Sequence, residues 1–179
     1  MFVKLQYDSS KSQLAEIFFC VSLLFLMAQI SIPLQPVPVT LQTLGIMIIG
    51  LKFGRKTAFS SVLAYLVFGV FGFPVFANFS GGYPIIIGKT GGYLIGFLPA
   101  VVVMGYVNQL LQLKSSVIRD FLSCLAGTTT VFVFGIVWLA VYLDVKQAII
   151  AGLLPFIIPG LVKIFLLVKI TQYLDCSKN

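Results

Sequence analysis

Charged residues are scarce in this chain, and their scarcity argues against a soluble protein. They make up 9% of the 179 residues, against about 25% in an ordinary soluble domain. Hydrophobic residues make up 59%, and the mean hydropathy is +1.08. A chain this poor in charge cannot cover its own surface in water, so we predict an integral membrane protein. Because a spanning helix takes ~20 apolar residues, the length allows about six spans and leaves no room for a soluble catalytic domain.

The residue types that carry most catalysis and metal binding are absent or scattered. The chain has no histidine, which excludes a Ser-His pair and a histidine metal site. Its five acids do not form a pair of neighbouring carboxylates that could act as acid and base. Cys20, Cys124 and Cys176 form no close pair, so free thiols are expected rather than a disulfide framework or a metal site. We therefore predict no catalytic residues, no bound metal and no enzyme activity.

A phosphate-binding loop is also missing, although one run looks like it. The run GGYPIIIGKT has Tyr83 where the motif needs its first glycine, and Pro84 removes one of the N–H groups that would hold phosphate. The chain is therefore not expected to bind ATP itself.

Long apolar runs separated by proline, glycine and charge predict an all-α membrane protein of one domain. Three prolines in residues 31–40 favour an extended loop. A mixed stretch at 144–158 is expected to hold a short helix ending near Pro155, and Pro159 suits the first turn of the last span. The six predicted spans are residues 14–32, 41–53, 57–71, 92–111, 117–143 and 159–173.

The positions of the cations predict the orientation in the membrane. With both termini cytoplasmic, nine lysines and arginines lie inside and two lie outside, which is the bias expected of a multi-pass cell-membrane protein. This scattered pattern explains the net charge of +7 better than nucleic-acid binding does. The inner set is Lys4, Lys11, Lys52, Arg55, Lys56, Lys114, Arg119, Lys169 and Lys178, and the outer set is Lys89 and Lys146. Three irregular segments then face outside, which suggests a pocket that opens outward.

The most informative segment is the broken stretch at residues 72–97, GFPVFANFSGGYPIIIGKTGGYLIGF. In lipid, non-helical backbone must be buried in protein or line a cavity, so this stretch predicts a binding site. Asn78 can both donate to and accept from a ligand, and Lys89 could meet a carboxylate; alternatively, both solvate a surface loop. The aromatic residues could wall a pocket or anchor the protein at the interface; they are Phe73, Phe76, Phe79, Tyr83 and Tyr93.

Two further polar residues stand out in apolar surroundings. Lys163 lies inside the sixth predicted span, where a lysine costs roughly 2.5–3.5 kcal/mol on insertion scales and is expected to face a cavity. The alternative is that it extends to the membrane interface. Gln42 opens the second span, where it could sit in the headgroup region or mark a helix start whose N–H groups meet an anion.

Four runs resemble the BioY family, the biotin-specific substrate-binding S components of energy-coupling factor (ECF) transporters. They are SIPLQPVPVTLQTLG (residues 31–45), GFPVFANFSGG (72–82), GKTGGYLIGF (88–97) and PFIIPGLVK (155–163). The resemblance extends from about residue 28 to about residue 170. It implies a six-helix protein that captures the vitamin on the extracellular side. A separate transmembrane coupling subunit and two ATPase subunits would drive transport, so ATP would be used only by the partners.

The resemblance also implies a ligand site. In the family, an asparagine after span 3 and an Asp-x-x-Lys pair at the start of span 6 hold the ureido ring. Asn78 and Lys163 match the asparagine and the lysine, but Gly160 stands at the aspartate position, and Lys89 replaces a proline. One ureido N–H acceptor is thus missing, and an unpaired buried donor costs ~1–3 kcal/mol. Water, a backbone carbonyl or Gln42 could replace it.

We therefore expect a biotin-binding membrane protein that works with ECF partners and lipid and carries no cofactor. The expected ligand residues are Gln42, Phe76, Asn78, Tyr83, Lys89, Tyr93, Gly160 and Lys163. The alternatives are the same fold with another vitamin-like carboxylate, and a stand-alone facilitator, which would need a polar path that spans 1 and 4 hardly offer. A third, an intramembrane enzyme, is disfavoured by the missing histidine and the isolated acids.

Overall fold

The computed structural model describes residues 10–111 and 115–176. The chain forms a bundle of helices with one short strand pair. The elements are α1 (Ser10–Gln29), β1 (Ser31–Ile32), β2 (Val39–Thr40), α2 (Gln42–Lys52), α3 (Arg55–Val70), α4 (Tyr83–Ile87), α5 (Gly91–Leu110), α6 (Ser116–Leu139), α7 (Val145–Gly152) and α8 (Leu154–Cys176). Three of the cations predicted on the inner side, Lys4, Lys114 and Lys178, lie outside the described residues.

Four segments of the described chain are long and apolar enough to cross a membrane. They are Ser12–Gln29, Gly91–Leu110, Ser116–Leu139 and Val145–Tyr173, the last of which combines α7 and α8. Large apolar side chains on these segments are exposed, among them Phe18, Val137 and Ile158, as expected where lipid is the solvent. The prediction of a helical membrane protein is confirmed to this extent.

Two of the six predicted spans correspond to shorter helices. At 11 and 16 residues, α2 and α3 are only ~16 and ~24 Å long, which is less than the ~30 Å thickness of the hydrocarbon core.

Helices α5 and α6 pack closely because glycines remove side chains from their contact. A Cβ atom added to Gly96 would lie 3.0 Å from the Cβ of Phe134 and 3.3 Å from the Cα of Val131. On α6, a Cβ at Gly135 would meet the ring of Tyr93. Small residues let transmembrane helices approach in this way. The close approach places Tyr93 on α5 and Val131 on α6 beside the same cavity.

The proline-rich loop folds into a two-stranded antiparallel ribbon. Ser31 pairs with Thr40, and Ile32 pairs with Val39. Its three prolines lie between the two strands, so none has to donate an N–H to the strand pair. Val37 and Val39 are 5% and 7% exposed, so this side of the loop packs onto the helices, whereas Ile32 and Leu34 at its outer side are exposed.

The predicted start of the last helix was wrong. α8 begins at Leu154, so Pro155 lies in the first turn and Pro159 lies inside the helix. The break between α7 and α8 is at Leu153, with φ −121° and ψ −53°. Pro155 fits a first turn because it has no N–H to be satisfied there. The missing N–H of Pro159 leaves one carbonyl without its helical donor, which the helix tolerates.

Candidate functional site

A cavity of about 230 Å³ lies where the ribbon and the loop after α3 meet α5, α6 and the first half of α8. Most of its wall is apolar and aromatic: Val37, Pro38, Phe76, Ala77, Ile85, Tyr93, Leu94, Phe97, Val131, Phe132 and Phe156. Its polar lining residues are Thr40, Gln42, Thr43, Asn78, Ser80, Thr90, Thr128 and Lys163. Apolar walls with a few placed polar groups are typical of small-molecule sites. The volume is below the ~300–1,000 Å³ common for drug-sized ligands, so it suits a compact molecule.

The charge in the cavity is Lys163 of α8, which is 8% exposed. Its ammonium nitrogen donates to the carbonyl oxygen of Thr40 at 2.7 Å and to the hydroxyl oxygen of Thr43 at 2.9 Å. An ammonium group has three protons, so these two bonds, the ones it makes within the described residues, leave one proton for a ligand. Both protein partners are neutral oxygens. The geometry therefore presents a buried cation with an unused donor to whatever fills the cavity.

Gln42 belongs to a buried chain of hydrogen bonds. Its Nε2 donates to the Tyr65 hydroxyl at 2.6 Å, and that hydroxyl donates to the carbonyl oxygen of Val75 at 2.7 Å. Its Oε1 accepts from the hydroxyl of Thr40 at 3.0 Å. This chain fixes the amide of Gln42 at the start of α2. The Oε1 atom has a second lone pair with which it can accept another bond.

Asn78 lies in the loop that follows α3, within a 3-10 turn at Ala77–Phe79. Its φ of 57° is left-handed, a conformation that asparagine adopts more readily than most residues. The hydroxyl of Ser31 donates to its Oδ1 at 3.1 Å. Within residues 10–111 and 115–176, its amide nitrogen has no hydrogen-bond partner. Asn78 therefore offers N–H donors at the edge of the cavity.

The aromatic lining is held by specific contacts. Phe76 is 1% exposed and meets the ring of Tyr65 edge-on, with ring centres 5.6 Å apart. Tyr93 stacks against Phe156 at 6.2 Å. The Tyr93 hydroxyl donates to the carbonyl oxygen of Gly152 at 2.9 Å, so that group is used to join α5 to the end of α7. The two rings present their apolar surfaces to the cavity.

Six of the eight predicted ligand residues line this cavity: Gln42, Phe76, Asn78, Tyr93, Gly160 and Lys163. Tyr83 and Lys89 are exposed and outside the lining. Tyr83 begins α4 and Lys89 follows its end. That end is held by two donors: the indole N–H of Trp138 on α6 donates to the carbonyl of Gly88 at 3.0 Å, and the hydroxyl of Tyr142, just after α6, donates to the carbonyl of Ile87. Phe73 and Phe79, named as wall candidates, are also exposed and outside the lining.

Gly160 occupies the position where the resemblance expects an aspartate. A Cβ atom added there would have nothing within 4 Å, and Gly160 lines the cavity three residues before Lys163. The cavity is therefore open at this point, and a larger side chain would enter free space.

Thr128 is a lining residue that sequence reasoning missed. It belongs to a run of three threonines in α6, of which Thr129 and Thr130 donate to the carbonyls four residues earlier at 2.8 and 2.9 Å. The buried hydroxyl of Thr128 has no hydrogen-bond partner in the part of the chain that the structure describes. A threonine run inside an apolar helix was the available signal, but only the helix register shows which member faces the cavity.

Membrane-length apolar helices around a small cavity of mixed polarity are typical of a membrane protein with a site for a compact molecule. Residues 3–177 match the model of the BioY family. The chain therefore belongs to the BioY family.

Two relatives and a solved structure agree with this assignment. The chain is 40% identical to a probable biotin transporter BioY of Pyrococcus horikoshii over 148 residues, which is 83% of this chain and 86% of the relative. It is 38% identical to the biotin transporter BioY of Thermotoga maritima over 138 residues, or 76% and 80% of the two chains. Its fold matches the 2.1 Å crystal structure of the S-component for biotin from an ECF-type ABC transporter, with a TM-score of 0.83 and 27% identity over 94% of each chain. The family is one of transporter components, not enzymes.

Proposed function

We propose that this protein binds biotin in the cavity beneath the ribbon and acts as the substrate-binding S component of an ECF transporter. The observation that carries the proposal is that one largely apolar cavity holds both the buried ammonium group of Lys163 and the amide of Asn78. The Asn78 amide is exposed at the cavity edge, and its nitrogen is unpartnered among the described residues. The names of the relatives and of the matching solved structure support biotin as the ligand.

The chemistry of biotin matches this lining. Its fused thioether ring is apolar and suits the walls formed by Phe76, Tyr93 and Phe156. Its ureido group has one carbonyl oxygen and two N–H donors. The amide N–H groups of Asn78 donate to the carbonyl. Gln42 and the cavity hydroxyls accept the N–H groups and so replace the carboxylate that Gly160 lacks.

Two groups of biotin could accept the free proton of Lys163: the ureido carbonyl and the valerate carboxylate. The family resemblance points to the ureido carbonyl. The carboxylate is favoured by charge, because Lys163 has no anionic partner among the described residues. Biotin methyl ester separates the two. If the carboxylate is the partner, the ester binds weakly and Lys163→Met no longer affects its affinity. If the ureido oxygen is the partner, Lys163→Met weakens biotin and its ester equally.

The proposed topology has six spans, both termini in the cytoplasm and the cavity open to the outside of the cell membrane. The bias of the cations supports this orientation, and the short α2 and α3 would cross with help from neighbouring helices. This topology can be tested with single-cysteine variants, made in a background where the natural cysteines are replaced by serine or alanine. A membrane-impermeant thiol reagent added to whole cells should label Lys89→Cys and leave Arg55→Cys unlabelled.

Transport is proposed to need partners, namely a coupling subunit and two ATPases, because the chain lacks a phosphate-binding loop of its own. Biotin uptake by cells that produce this protein should therefore appear only when an energising module is present. Uptake without the module, following the gradient alone, would favour a stand-alone facilitator.

A second ligand class is favoured by one observation, the open space at Gly160. The same fold could then serve another vitamin-like carboxylate. Competition against labelled biotin decides between them. Desthiobiotin keeps the ureido group and should compete, while lipoate lacks it and should not. Strong competition by lipoate would show that the cavity does not select the ureido ring.

A further inference from the structure

The loop that carries Asn78 contains two consecutive left-handed residues. Asn78 has a φ of 57° and Phe79 a φ of 53°. Asparagine accepts this conformation readily, but a bulky residue such as phenylalanine rarely does. Such a backbone conformation is stable only where surrounding contacts stabilise it. One of these contacts lies within the loop, where the amide of Phe76 donates to the carbonyl of Ser80 at 2.9 Å.

A second part of the contacts that hold this turn comes from the side chain of Gln29, the last residue of α1. Its Nε2 donates to the carbonyl oxygen of Phe76 at 3.2 Å, and its Oε1 accepts from the amide of Phe79 at 2.9 Å. The two bonds bracket Asn78 on both sides. The Nε2 also donates to the carbonyl of Phe25 at 3.1 Å, which fixes the side chain against its own helix.

A ring contact supports the same junction. The ring of Phe25 meets the ring of Phe79 edge-on, with centres 6.1 Å apart. The loop is therefore joined to the end of α1 both by hydrogen bonds and by an aromatic pair. Gln29 contacts the backbone of the lining residue Phe76, but its own side chain does not line the cavity.

We infer that Gln29 is a positioning residue for ligand binding: it holds the left-handed turn at Asn78 and so presents the Asn78 amide to the cavity. This inference rests on the proposed function, because it requires Asn78 to contact biotin. Gln29 acts through the backbone on either side of Asn78 and not by touching the ligand. Preorganising a loop in its bound conformation raises affinity by lowering the cost of ordering it.

The test is a set of double-mutant cycles read by biotin titration. Gln29→Ala should weaken biotin binding by about tenfold in the wild-type background, as the loss of a pair of hydrogen bonds would. The same change should have almost no further effect in Asn78→Ala, where no amide remains to be positioned. In Lys163→Met, it should keep its full effect, because Lys163 is held by other contacts. Non-additivity confined to one partner indicates direct coupling.

Two matched variants separate positioning from general loss of stability. Gln109→Ala removes an exposed glutamine near the end of α5 and should leave affinity unchanged. Gln29→Glu keeps the length and the acceptor for the Phe79 amide but loses the donor to Phe76, so it should retain part of the affinity. Hydrogen exchange without ligand should show faster exchange at the Phe79 amide in Gln29→Ala and unchanged exchange in α5 and α6.

The outcomes distinguish this inference from the proposed function. If Asn78→Ala weakens binding and Gln29→Ala does not, the inference fails and the proposed function stands. If Gln29→Ala weakens binding equally in all three backgrounds, its effect is general and the inference fails. If Asn78→Ala binds biotin like the wild type, there is nothing to position, and both the role of Asn78 and the inference fail.

Discussion

The ammonium nitrogen of Lys163 lies 2.7 Å from the carbonyl oxygen of Thr40, a residue 123 positions earlier in the chain. This bond joins α8 to the end of the ribbon, and the hydroxyl of Thr43 extends the contact to the first turn of α2. Both partners and the lysine line the cavity. The same group thus connects two parts of the fold and faces the ligand.

Lys163→Met should reduce biotin affinity roughly ten- to hundredfold, the worth of a hydrogen bond to a charged group. Methionine has a similar length and keeps the apolar stem, but it removes the donor to the carbonyl of Thr40 and the hydroxyl of Thr43. The melting temperature without ligand should therefore fall modestly, because a buried oxygen left unpaired costs about 1–3 kcal/mol, and the affinity is measured on variant protein shown to be folded. Lys89→Met is the matched control, because Lys89 is exposed and outside the lining. If Lys89→Met lowers the affinity for biotin more than Lys163→Met does, the cation that contacts biotin is Lys89 and not Lys163.

Gly160→Asp should tighten biotin binding, by about tenfold if the carboxylate supplies the missing N–H acceptor. The structure has room for it, since no atom lies within 4 Å of a Cβ at this position. Competition with labelled biotin measures the change. Gly160→Leu fills the same space without an acceptor and should weaken binding. Equal weakening by both substitutions would show that the open space itself is needed by the ligand.

Tyr65→Phe should destabilise the protein and lower its melting temperature in detergent. Without the hydroxyl, the amide nitrogen of Gln42 and the carbonyl of Val75 lose their shared partner, at a cost of about 1–3 kcal/mol for a buried unpaired group. Tyr106→Phe is the control. Its ring is exposed and lies under the guanidinium of Arg55 at 4.4 Å, a contact that phenylalanine keeps. Similar losses in both variants would mean that the buried chain of hydrogen bonds adds little.

Thr128→Val should raise the melting temperature of the ligand-free protein. It has nearly the same shape and removes a buried hydroxyl that is unpaired among the described residues, which relieves a desolvation penalty. In Thr130→Val, by contrast, a hydroxyl bonded to the carbonyl of Ala126 is lost, so no gain is expected. If the Thr128 variant melts lower than the wild type, the hydroxyl has a partner that this structure does not show.

Much of the helical structure could be predicted from the apolar runs. The predicted span 92–111 differs by one residue at each end from α5 at Gly91–Leu110. The start of α8 could not be predicted, because Pro155 and Pro159 both suit a first turn. The choice depends on contacts distant in sequence, such as the bond from the Tyr93 hydroxyl to Gly152. Such contacts leave no pattern in the local sequence.

The candidate site could be predicted where a residue was costly or out of place. Lys163 stood out as a charge in an apolar run, and Asn78 as an amide in a broken segment. Thr40 and Thr128 did not stand out, because threonine is common in helices and loops. Their role depends on which face of an element meets the cavity. Tyr83 and Lys89 were expected at the site for their chemistry, but short-range sequence does not tell which side of a loop a side chain takes.

Biotin binding to the purified, detergent-solubilised wild-type protein can be measured by titration calorimetry. We expect one site per chain with nanomolar affinity, despite the glycine at position 160. If folded wild-type protein gives no heat of binding with biotin, biotin is not its ligand, and the cavity around Lys163 and Asn78 serves a different molecule.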